Sequence, residues 1–249
     1  MLWFESNGSH RHRRVTSPDS SLGDARRSLR ASLRASLRAR RRAIRAADRA
    51  AAARQIARHA DRSLNLRPGR RIGIYAATAE ELDTSRLIAL ALLRGCLVFL
   101  PRIDPRSQAR AMCFAPIADD AWTAASAASA AHIAAPHARG AAALSPRALR
   151  RNRFGIAEPQ GLALASPRLL DVAFLPLVGF DRRGIRLGMG GGYYDRAFAF
   201  MHLRSVWRAP LLVGLAYAAQ EVDHIAAAAH DVPLDLVITE RGVIRCARR

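Results

Sequence analysis

The sequence predicts an α/β fold with three layers, in which a mostly parallel central sheet carries helices on both faces in a Rossmann-like arrangement. Three observations support this prediction. The chain has 249 residues, 50% of them hydrophobic, which is enough to bury a substantial core. Apolar runs and a helical pattern follow one another after residue 70 in a β-α-β rhythm. Further apolar runs of strand length recur in the last third of the chain.

The N-terminal segment is polar at first and then helical. Residues 1–24 show no periodicity and predict a disordered leader, whereas the pattern from Asp24 to about Ser63 predicts a helix. The tetrad Ser-Leu-Arg-Ala occurs three times there and places three leucines on one face and three arginines on a neighbouring stripe. The leucines are Leu29, Leu33 and Leu37, and the arginines are Arg30, Arg34 and Arg38. For most of these arginines the simplest interpretation is a solvated helix face.

A β-α-β unit follows the turn at Pro68-Gly69. Residues 71–76 predict a short buried strand, and residues 80–94 predict a helix that ends at Gly95. Residues 96–100 predict a second strand, which Pro101 stops. A crossover helix between two strands places those strands parallel to each other in one sheet.

The rest of the chain continues the sheet. Residues 170–175 predict another buried strand, and a glycine-rich turn at 184–192 leads into a helix from about Tyr193. Two final strands are predicted at 211–216 and 236–239. The Ala-rich stretch at about 123–146 predicts an inserted surface loop. Residues 25–249 are therefore expected to form a single α/β domain that contains this insertion.

The charge is large but unevenly distributed. The formal net charge is +20, and all 40 basic residues are arginine, which together with 51 alanines indicates a compositional bias. Residues 1–71 carry 19 arginines against 5 acidic residues, a formal charge of +14, and the remainder carries only +6. A basic chain invites a nucleic-acid interpretation. Because the excess lies in the leader and one helix, we do not expect nucleic acid as a partner.

Location and membrane association follow from what the sequence lacks. No apolar run approaches the roughly 20 residues that span a bilayer, so no membrane partner is expected. The N-terminus lacks the apolar core of a secretory signal, which favours a cytoplasmic protein. Three cysteines without paired spacing indicate a reducing compartment.

The segment 176–196, PLVGFDRRGIRLGMGGGYYDR, carries the densest set of functional residue types. A glycine-rich turn that opens a helix lets backbone N–H groups approach an anionic oxygen. Arg186 and Arg196 add positive charge, and Asp195 offers an oxygen ligand for Mg²⁺. The glycine spacing matches neither a P-loop nor a dinucleotide fingerprint. From the residues alone, a phosphate cradle and a flexible connecting loop with packed tyrosines both remain open.

The run FDRRGIRLGMGGGYYDR resembles the signature of 5-formyltetrahydrofolate cyclo-ligases, also called methenyltetrahydrofolate synthetases. Other segments are similar to the same family and occur in the same order. They are ELDT and GCLVFLPR, Met112-x-Phe114, Gly155–Pro159, Val213–Gln220, His230–Asp235 and Val237–Glu240. Together the segments cover about residues 26–249, apart from the Ala-rich insertion.

This resemblance implies an ATP-dependent enzyme that converts 5-formyltetrahydrofolate, which can carry a polyglutamate tail, to 5,10-methenyltetrahydrofolate, ADP and phosphate. Phosphorylation of the formyl oxygen would give an N5-iminium phosphate, which N10 attacks so that phosphate leaves and the ring closes. The implied cofactors are ATP and Mg²⁺, and a monomer is expected. The protein would align the γ-phosphate with the formyl oxygen and neutralise the developing charge.

The resemblance also implies a role for each matching residue. Arg186 and Tyr194 would be catalytic, and Asp195 and Asp231 would hold Mg²⁺. ATP would contact Arg30, Arg34, Arg186, Leu187, Gly188, Met189, Gly190, Gly191, Gly192, Tyr193 and Tyr194. The folate would contact Arg34, Ala76, Glu81, Met189, Gly190, Gly191, Gly192 and Tyr193.

Two alternatives remain open at this point. The Ser-Leu-Arg-Ala repeat allows the phosphate-contacting pair to be Arg30 and Arg34 or, one helical turn later, Arg34 and Arg38. The family has lysine at the first of these positions, and arginine differs from it in geometry. The functional alternative is a nucleic-acid-binding or catalytically silent relative that uses the Arg-rich N-terminus. A nicotinamide-dependent oxidoreductase is disfavoured by the glycine spacing.

Overall fold

Short apolar segments build the sheet of the protein. The computed structural model describes residues 18–103, 112–117, 149–151, 157–159, 165–203 and 210–247. The strands in the first half are β1 (Arg71–Gly73), β2 (Leu97–Ile103), β3 (Met112–Pro116), β4 (Leu149–Arg151) and β5 (Ala157–Pro159). Those in the second half are β6 (Val172–Leu175), β7 (Gly179–Phe180), β8 (Arg186–Leu187), β9 (Leu211–Leu215), β10 (Leu236–Thr239) and β11 (Gly242–Arg245).

Seven of these strands form the central sheet, in the order β11-β10-β9-β6-β1-β2-β3. The five strands from β10 to β2 are parallel, and β11 and β3 add antiparallel edges. The chain leaves β1 toward β2 on one side and leaves β6 toward β9 on the other. The strand order therefore reverses between β1 and β6, which is the position where open α/β sheets bind ligands.

The helices cover both faces of the sheet. The described helices are α1 (Pro18–Arg42), α2 (Ala46–Leu64), α3 (Ser85–Leu93) and α4 (Tyr193–Ala197). Side chains alternate along each strand, so Val172 and Phe174 of β6 pack in the cluster that contains α2 and α3. Ala173 and Leu175 pack on the opposite face, in the cluster against which α4 packs. This arrangement confirms the predicted three-layer, mostly parallel α/β fold.

Helix α1 packs against the loops at the carboxyl ends of the strands. Leu37 is fully buried in a small cluster with Val178, Leu187 and Ile225. A Cβ at Gly179 would lie 2.3 Å from Cδ1 of Leu37, so the glycine permits this close approach. Of the predicted leucine stripe, Leu33 also packs against the cluster, whereas Leu29 is exposed.

Several element boundaries differ from the sequence prediction. The helix predicted from Asp24 to about Ser63 is two helices, because the chain turns between Arg42 and Ala46. Helix α1 begins at Pro18, inside the predicted leader, and residues 1–17 lie outside the described residues. Helix α3 begins at Ser85 rather than at residue 80, because residues 80–84 belong to the preceding loop. The Ala-rich insertion at about 123–146 lies outside the described residues.

The prediction that Pro101 stops the second strand is wrong. Pro101 lies within β2 opposite Phe114 of β3, whose backbone N–H and C=O bond to Ala165 instead. The ladder between β1 and β2 has already ended at Gly73 and Phe99. The missing N–H of Pro101 therefore leaves no ladder partner unsatisfied.

Candidate active site

The predicted site residues lie at the carboxyl edge of the sheet. After β6 the chain forms a two-strand hairpin of β7 and β8, and the glycine loop 188–192 then leads directly into α4. The loop 75–84 leaves β1 at the same edge, and α1 lies beside both loops. The fold thus brings the predicted ATP, folate and metal residues together from four separate parts of the chain.

A buried aspartate fixes the hairpin that carries the glycine loop. The carboxylate of Asp181 is fully buried and accepts hydrogen bonds from the backbone N–H groups of Arg183, Ile185 and Ile225, at 3.0 to 3.1 Å. Its ion pair with Arg183 is 2.6 Å long. These contacts join the β7–β8 turn to the segment near residue 225. This structural role of Asp181 was not predicted from the sequence.

Gly184 should be the most sensitive glycine of this hairpin. Its φ is +85°, and a Cβ there would lie 2.5 Å from the carbonyl oxygen of Leu234. We expect Gly184→Ala to lower the free energy of unfolding by about 2 to 4 kcal/mol, because backbone strain and a backbone clash add. Gly69→Ala is the matched control, since Gly69 has a φ of +77° and open space around it. Urea unfolding of both variants measures the difference, and equal losses would contradict the clash.

The glycine loop is open to solvent, and two of its residues adopt backbone conformations that favour glycine. Gly190 has a φ of +105° and Gly192 a φ of +64°, values that side chains rarely adopt. A Cβ at Gly188 would meet nothing within 4 Å. Met189 is 59% exposed at the tip of the loop. The ring of Tyr193 lies against Gly191, and the guanidinium of Arg196 stacks 5.1 Å from the centre of that ring.

Arg186 and Asp195 form a buried ion pair beneath the loop. Nη2 of Arg186 donates to Oδ1 of Asp195 at 2.7 Å, and Nη1 donates to the carbonyl oxygen of Val232. The side chain of Arg186 is only 4% exposed, and this burial lowers its pKa, although the carboxylates of Asp195 and Asp231 oppose the shift. Oδ1 of Asp195 also accepts the N–H of Val232 at 3.2 Å.

Asp231, the second predicted metal ligand, is paired with Arg30 of α1. The guanidinium of Arg30 bonds both carboxylate oxygens, at 2.7 and 3.2 Å, and the carbonyl oxygen of Ala226 at 2.8 Å. Burial raises the pKa of Asp231, but hydrogen bonds from Arg30 and from the N–H of Ala228 outweigh it and hold the pKa below its usual value. Each carboxylate predicted for Mg²⁺ is thus held by an arginine predicted for phosphate.

Arg34 contacts the glycine loop itself. Its Nε donates to the carbonyl oxygen of Gly188 at 2.8 Å, and its guanidinium carbon would lie 4.0 Å from a Cβ on Gly190. Burial and the nearby charge of Arg30 lower the pKa of Arg34. Arg38, one turn further along α1, instead bonds Glu80 at 3.2 Å. Of the two possible registers, Arg30 and Arg34 are therefore the pair beside the glycine loop and Asp231.

The residues present suit a metal that arrives with a nucleotide. The described residues contain no cluster of three or more histidine, cysteine or acidic side chains that would form a complete metal cage. Oδ1 of Asp195 accepts the N–H of Val232, the residue that follows Asp231, so the two aspartates lie in the same region of the site. Mg²⁺ in nucleotide sites is held by one or two carboxylates together with phosphate oxygens and waters. Two aspartates beside a glycine loop that opens a helix fit that donor set.

The predicted folate residues lie beside the glycine loop. Ala76 follows β1 and is largely buried, and Oε2 of Glu81 accepts the N–H of Thr78 at 2.9 Å. The carboxylate of Glu81 is close enough to the Tyr75 and Tyr194 phenols to raise the pKa of both, in addition to the larger effect of burial. Glu81 and Tyr194, predicted from separate segments, are therefore neighbours.

Two residues of this region, Tyr75 and Arg41, were not predicted from the sequence. Tyr75 is 4% exposed and lies next to Glu81, Tyr194 and Tyr217. Arg41 is 3% exposed, although an arginine in a basic helix is normally solvated. A signal for Tyr75 was its place at the end of a buried strand, directly before Ala76.

The described residues also form two other concave regions. A cleft of about 680 Å³ lies at the amino edge of the sheet, between the segment 63–70, Asp171 and Leu211. A smaller one of about 250 Å³ lies between α2 and the end of β10. Neither includes a predicted site residue. Among the described residues, no helix has both the length and the apolarity needed to cross a membrane.

Comparison with known proteins shows what the chain is similar to. Residues 26–240 match the model of the 5-formyltetrahydrofolate cyclo-ligase family. The chain is 29% identical to the 5-formyltetrahydrofolate cyclo-ligase of Haemophilus influenzae over 181 residues, which cover 72% of this chain and 80% of the relative. It is 30% identical to a probable 5-formyltetrahydrofolate cyclo-ligase of Caenorhabditis elegans, with 70% of this chain and 75% of the relative covered.

Solved structures show the same fold. The NMR structure of 5,10-methenyltetrahydrofolate synthetase from Aquifex aeolicus superposes with a TM-score of 0.65 at 22% identity, covering 89% of this chain and 94% of that one. A 5,10-methenyltetrahydrofolate synthetase from Mycoplasma pneumoniae gives a TM-score of 0.57 at 21% identity, covering 85% of this chain and 98% of that one. These likenesses support the α/β architecture described above.

Proposed function

Because the chain belongs to the 5-formyltetrahydrofolate cyclo-ligase family, we propose that it converts 5-formyltetrahydrofolate and ATP to 5,10-methenyltetrahydrofolate, ADP and phosphate. One observation carries the proposal. The open glycine loop 188–192, two arginine–aspartate pairs and Glu81 meet at the carboxyl edge of the sheet. The glycine loop and the arginine–aspartate pairs suit a nucleotide with its metal, and the carboxylate of Glu81 suits the N–H groups of a pterin.

The chemistry explains why a phosphate cradle and a folate site must adjoin. The formyl group of the substrate is an amide and a poor electrophile, because its nitrogen donates into the carbonyl. Transfer of the γ-phosphoryl group to the formyl oxygen gives an N5-iminium phosphate. N10 then attacks the activated carbon and loses its proton to solvent, the C–O bond breaks, and phosphate leaves with the former formyl oxygen. Alignment of the two substrates and stabilisation of charge are the main tasks of the protein.

The arginines of the site would take the phosphates. Arg34 lies beside the carbonyl oxygen of Gly188, and Arg30 and Arg186 lie beside the two aspartates. Each guanidinium can exchange its present carboxylate or carbonyl partner for a phosphate oxygen without a change in its charge. Bound Mg²⁺ would neutralise phosphate charge, and Asp195 and Asp231 are the residues that would hold it. Metal and nucleotide are therefore expected to bind together.

Tyr194 would act as a hydrogen-bond donor. Burial, with the nearby Glu81 carboxylate, raises the pKa of Tyr194, so its hydroxyl stays protonated at neutral pH. Its ring also packs against the cluster on the α4 face of the sheet. The phenol therefore combines a packed ring with a neutral O–H, which suits a substrate contact rather than proton abstraction.

Tyr194→Phe separates these two contributions. The variant keeps the packed ring and removes the hydroxyl, so we expect unchanged thermal stability and a kcat/KM about tenfold lower. Tyr217→Phe, a change at a buried tyrosine of the same edge, is the control for loss of a hydroxyl. A Tyr194→Phe variant with full activity would limit Tyr194 to core packing.

The proposed activity has a direct assay. Purified protein with 5-formyltetrahydrofolate and Mg-ATP should give a rise in the absorbance of the methenyl product. Omission of ATP or chelation of the metal should abolish that rise. A protein that binds folate but gives no product under these conditions would be a silent relative of the family.

A further inference from the structure

Three arginines of α1 surround one carboxylate next to the predicted folate residues. Oε2 of Glu80 lies 3.2 Å from Nη2 of Arg38 and 3.4 Å from Nη2 of Arg41, and Oε1 lies 3.7 Å from Nη1 of Arg42. Arg41 and Arg42 follow Arg38 by three and four residues, so all three arginines lie on the same side of α1. We call Glu80 with these arginines the Glu80 clamp.

The guanidinium of Arg41 is the buried charge of the Glu80 clamp, and Glu80 is its ion-pair partner. The side chain of Arg41 is 3% exposed, and within the described residues its Nε has no hydrogen-bond partner. The buried Nε of Arg38 is likewise unpartnered there. A buried guanidinium is tolerated only beside a compensating charge, and the carboxylate of Glu80 supplies it. Arg41 also lies close enough to Tyr75 to act on the pKa of that phenol.

The loop that carries Glu80 is tied at several other points. The hydroxyl of Thr84 donates to the carbonyl oxygen of Tyr75 at 2.8 Å and closes the base of the 75–84 loop. Within the loop, Glu81 and Thr78 exchange two hydrogen bonds, at 2.9 and 3.0 Å. Arg49 of α2 donates to the carbonyl oxygens of Ala79 and Glu81. The clamp adds a contact from this loop to α1.

We propose that the Glu80 clamp positions the 75–84 loop so that Glu81 faces the pterin of the substrate. Glu80 is then a positioning residue, which acts through the loop and does not itself touch the substrate. The inference rests on the proposed cyclo-ligase function, because it takes Glu81 as the folate contact. It assigns a role to three arginines that composition alone would leave as a solvated helix face.

The clamp also connects the two halves of the site. Arg30 and Arg34 of the same helix contact Asp231 and Gly188. At a rise of 1.5 Å per residue, Arg41 lies about 16.5 Å beyond Arg30 along the helix. One rigid helix therefore fixes both the glycine loop and the folate loop. A change at Glu80 should act on folate binding while leaving the contacts at Arg30 and Arg34 in place.

Direct folate binding tests the proposal without any need for turnover. We expect Glu80→Gln to raise the Kd for 5-formyltetrahydrofolate about tenfold, because a displaced loop misaligns Glu81. With saturating folate, kcat and the KM for ATP should stay within about twofold of the wild-type values. Asp61→Asn, which removes the carboxylate of an exposed ion pair with Arg94, is the matched control and should bind folate normally.

A second variant keeps the test decisive if Glu80→Gln fails to fold. Arg38 is 37% exposed, so Arg38→Gln should fold and should raise the folate Kd severalfold. The double variant should bind folate no more weakly than Glu80→Gln alone, because the two residues act as one unit. Unchanged folate affinity in both single variants, or effects that simply add, would overturn the clamp. A wild-type protein that does not bind folate would instead refute the proposed function.

Discussion

Asp195→Asn is expected to lower kcat/KM for ATP by about 100-fold while the affinity for 5-formyltetrahydrofolate stays within about twofold. The amide keeps the shape of the side chain and can still accept the hydrogen bonds that Oδ1 receives from Arg186 and Val232. It cannot supply the negative charge that Mg²⁺ requires. The loss should therefore appear in the use of Mg-ATP and not in the binding of folate.

Steady-state kinetics with each substrate varied in turn, together with direct folate binding, measure this separation. Asp171→Asn is the matched control, because Asp171 forms a 2.8 Å ion pair with Arg71 before β6, at the opposite edge of the sheet. The control should leave both substrates unaffected. Equal losses for ATP and folate in Asp195→Asn would contradict the metal role of Asp195.

Arg186→Gln is expected to lower the free energy of unfolding by about 3 kcal/mol and to abolish detectable activity. Arg186 is 4% exposed and connects Asp195 to the carbonyl oxygen of Val232. Removal of the guanidinium takes the charged donor away from the Asp195 carboxylate, which keeps the N–H of Val232, and from the carbonyl oxygen of Val232. It also removes one of the positive charges beside the proposed phosphate cradle.

Urea unfolding of Arg186→Gln and Arg71→Gln compares a buried ion pair with an exposed one. The Arg71–Asp171 pair is 42% and 33% exposed, and pairs of that kind contribute about 0 to 1 kcal/mol. Arg71→Gln should therefore be close to wild type in stability. A loss of less than about 1 kcal/mol in Arg186→Gln would show that the buried pair does not hold the hairpin and α4 together.

The sequence predicted the parts of the fold that depend on local pattern. The strands near residues 71, 97, 172, 211 and 236 are apolar runs whose burial follows from composition, and all five are parallel in the sheet. The hairpin of β7 and β8 and the edge strand β11 were missed, because two to four residues carry no periodicity. Such strands form because a neighbouring strand or loop is already in place, which is a tertiary effect.

The site residues, like the strands, were predictable only where the local sequence carries a recognisable pattern. The glycine loop and Asp195 belong to one segment that resembles the family, and Asp231 belongs to another. The resemblance could therefore assign roles to all of them. Glu80 and Arg41 carry no such signal, because a glutamate in a loop and an arginine in a basic helix usually face water. Their contact is visible only once α1 lies against the 75–84 loop. The arginine bias that first suggested nucleic acid thus includes side chains engaged with Asp231, Gly188 and Glu80.

The fate of the formyl oxygen tests the proposed reaction most directly. The substrate is prepared with ¹⁸O in the formyl group and converted with Mg-ATP, and the inorganic phosphate is analysed by mass spectrometry. Because the γ-phosphoryl group is transferred to that oxygen, each methenyl group formed should place one ¹⁸O atom in the phosphate. Recovery of the label in water, with unlabelled phosphate, would contradict the phosphorylated intermediate and with it the proposed task of the glycine loop.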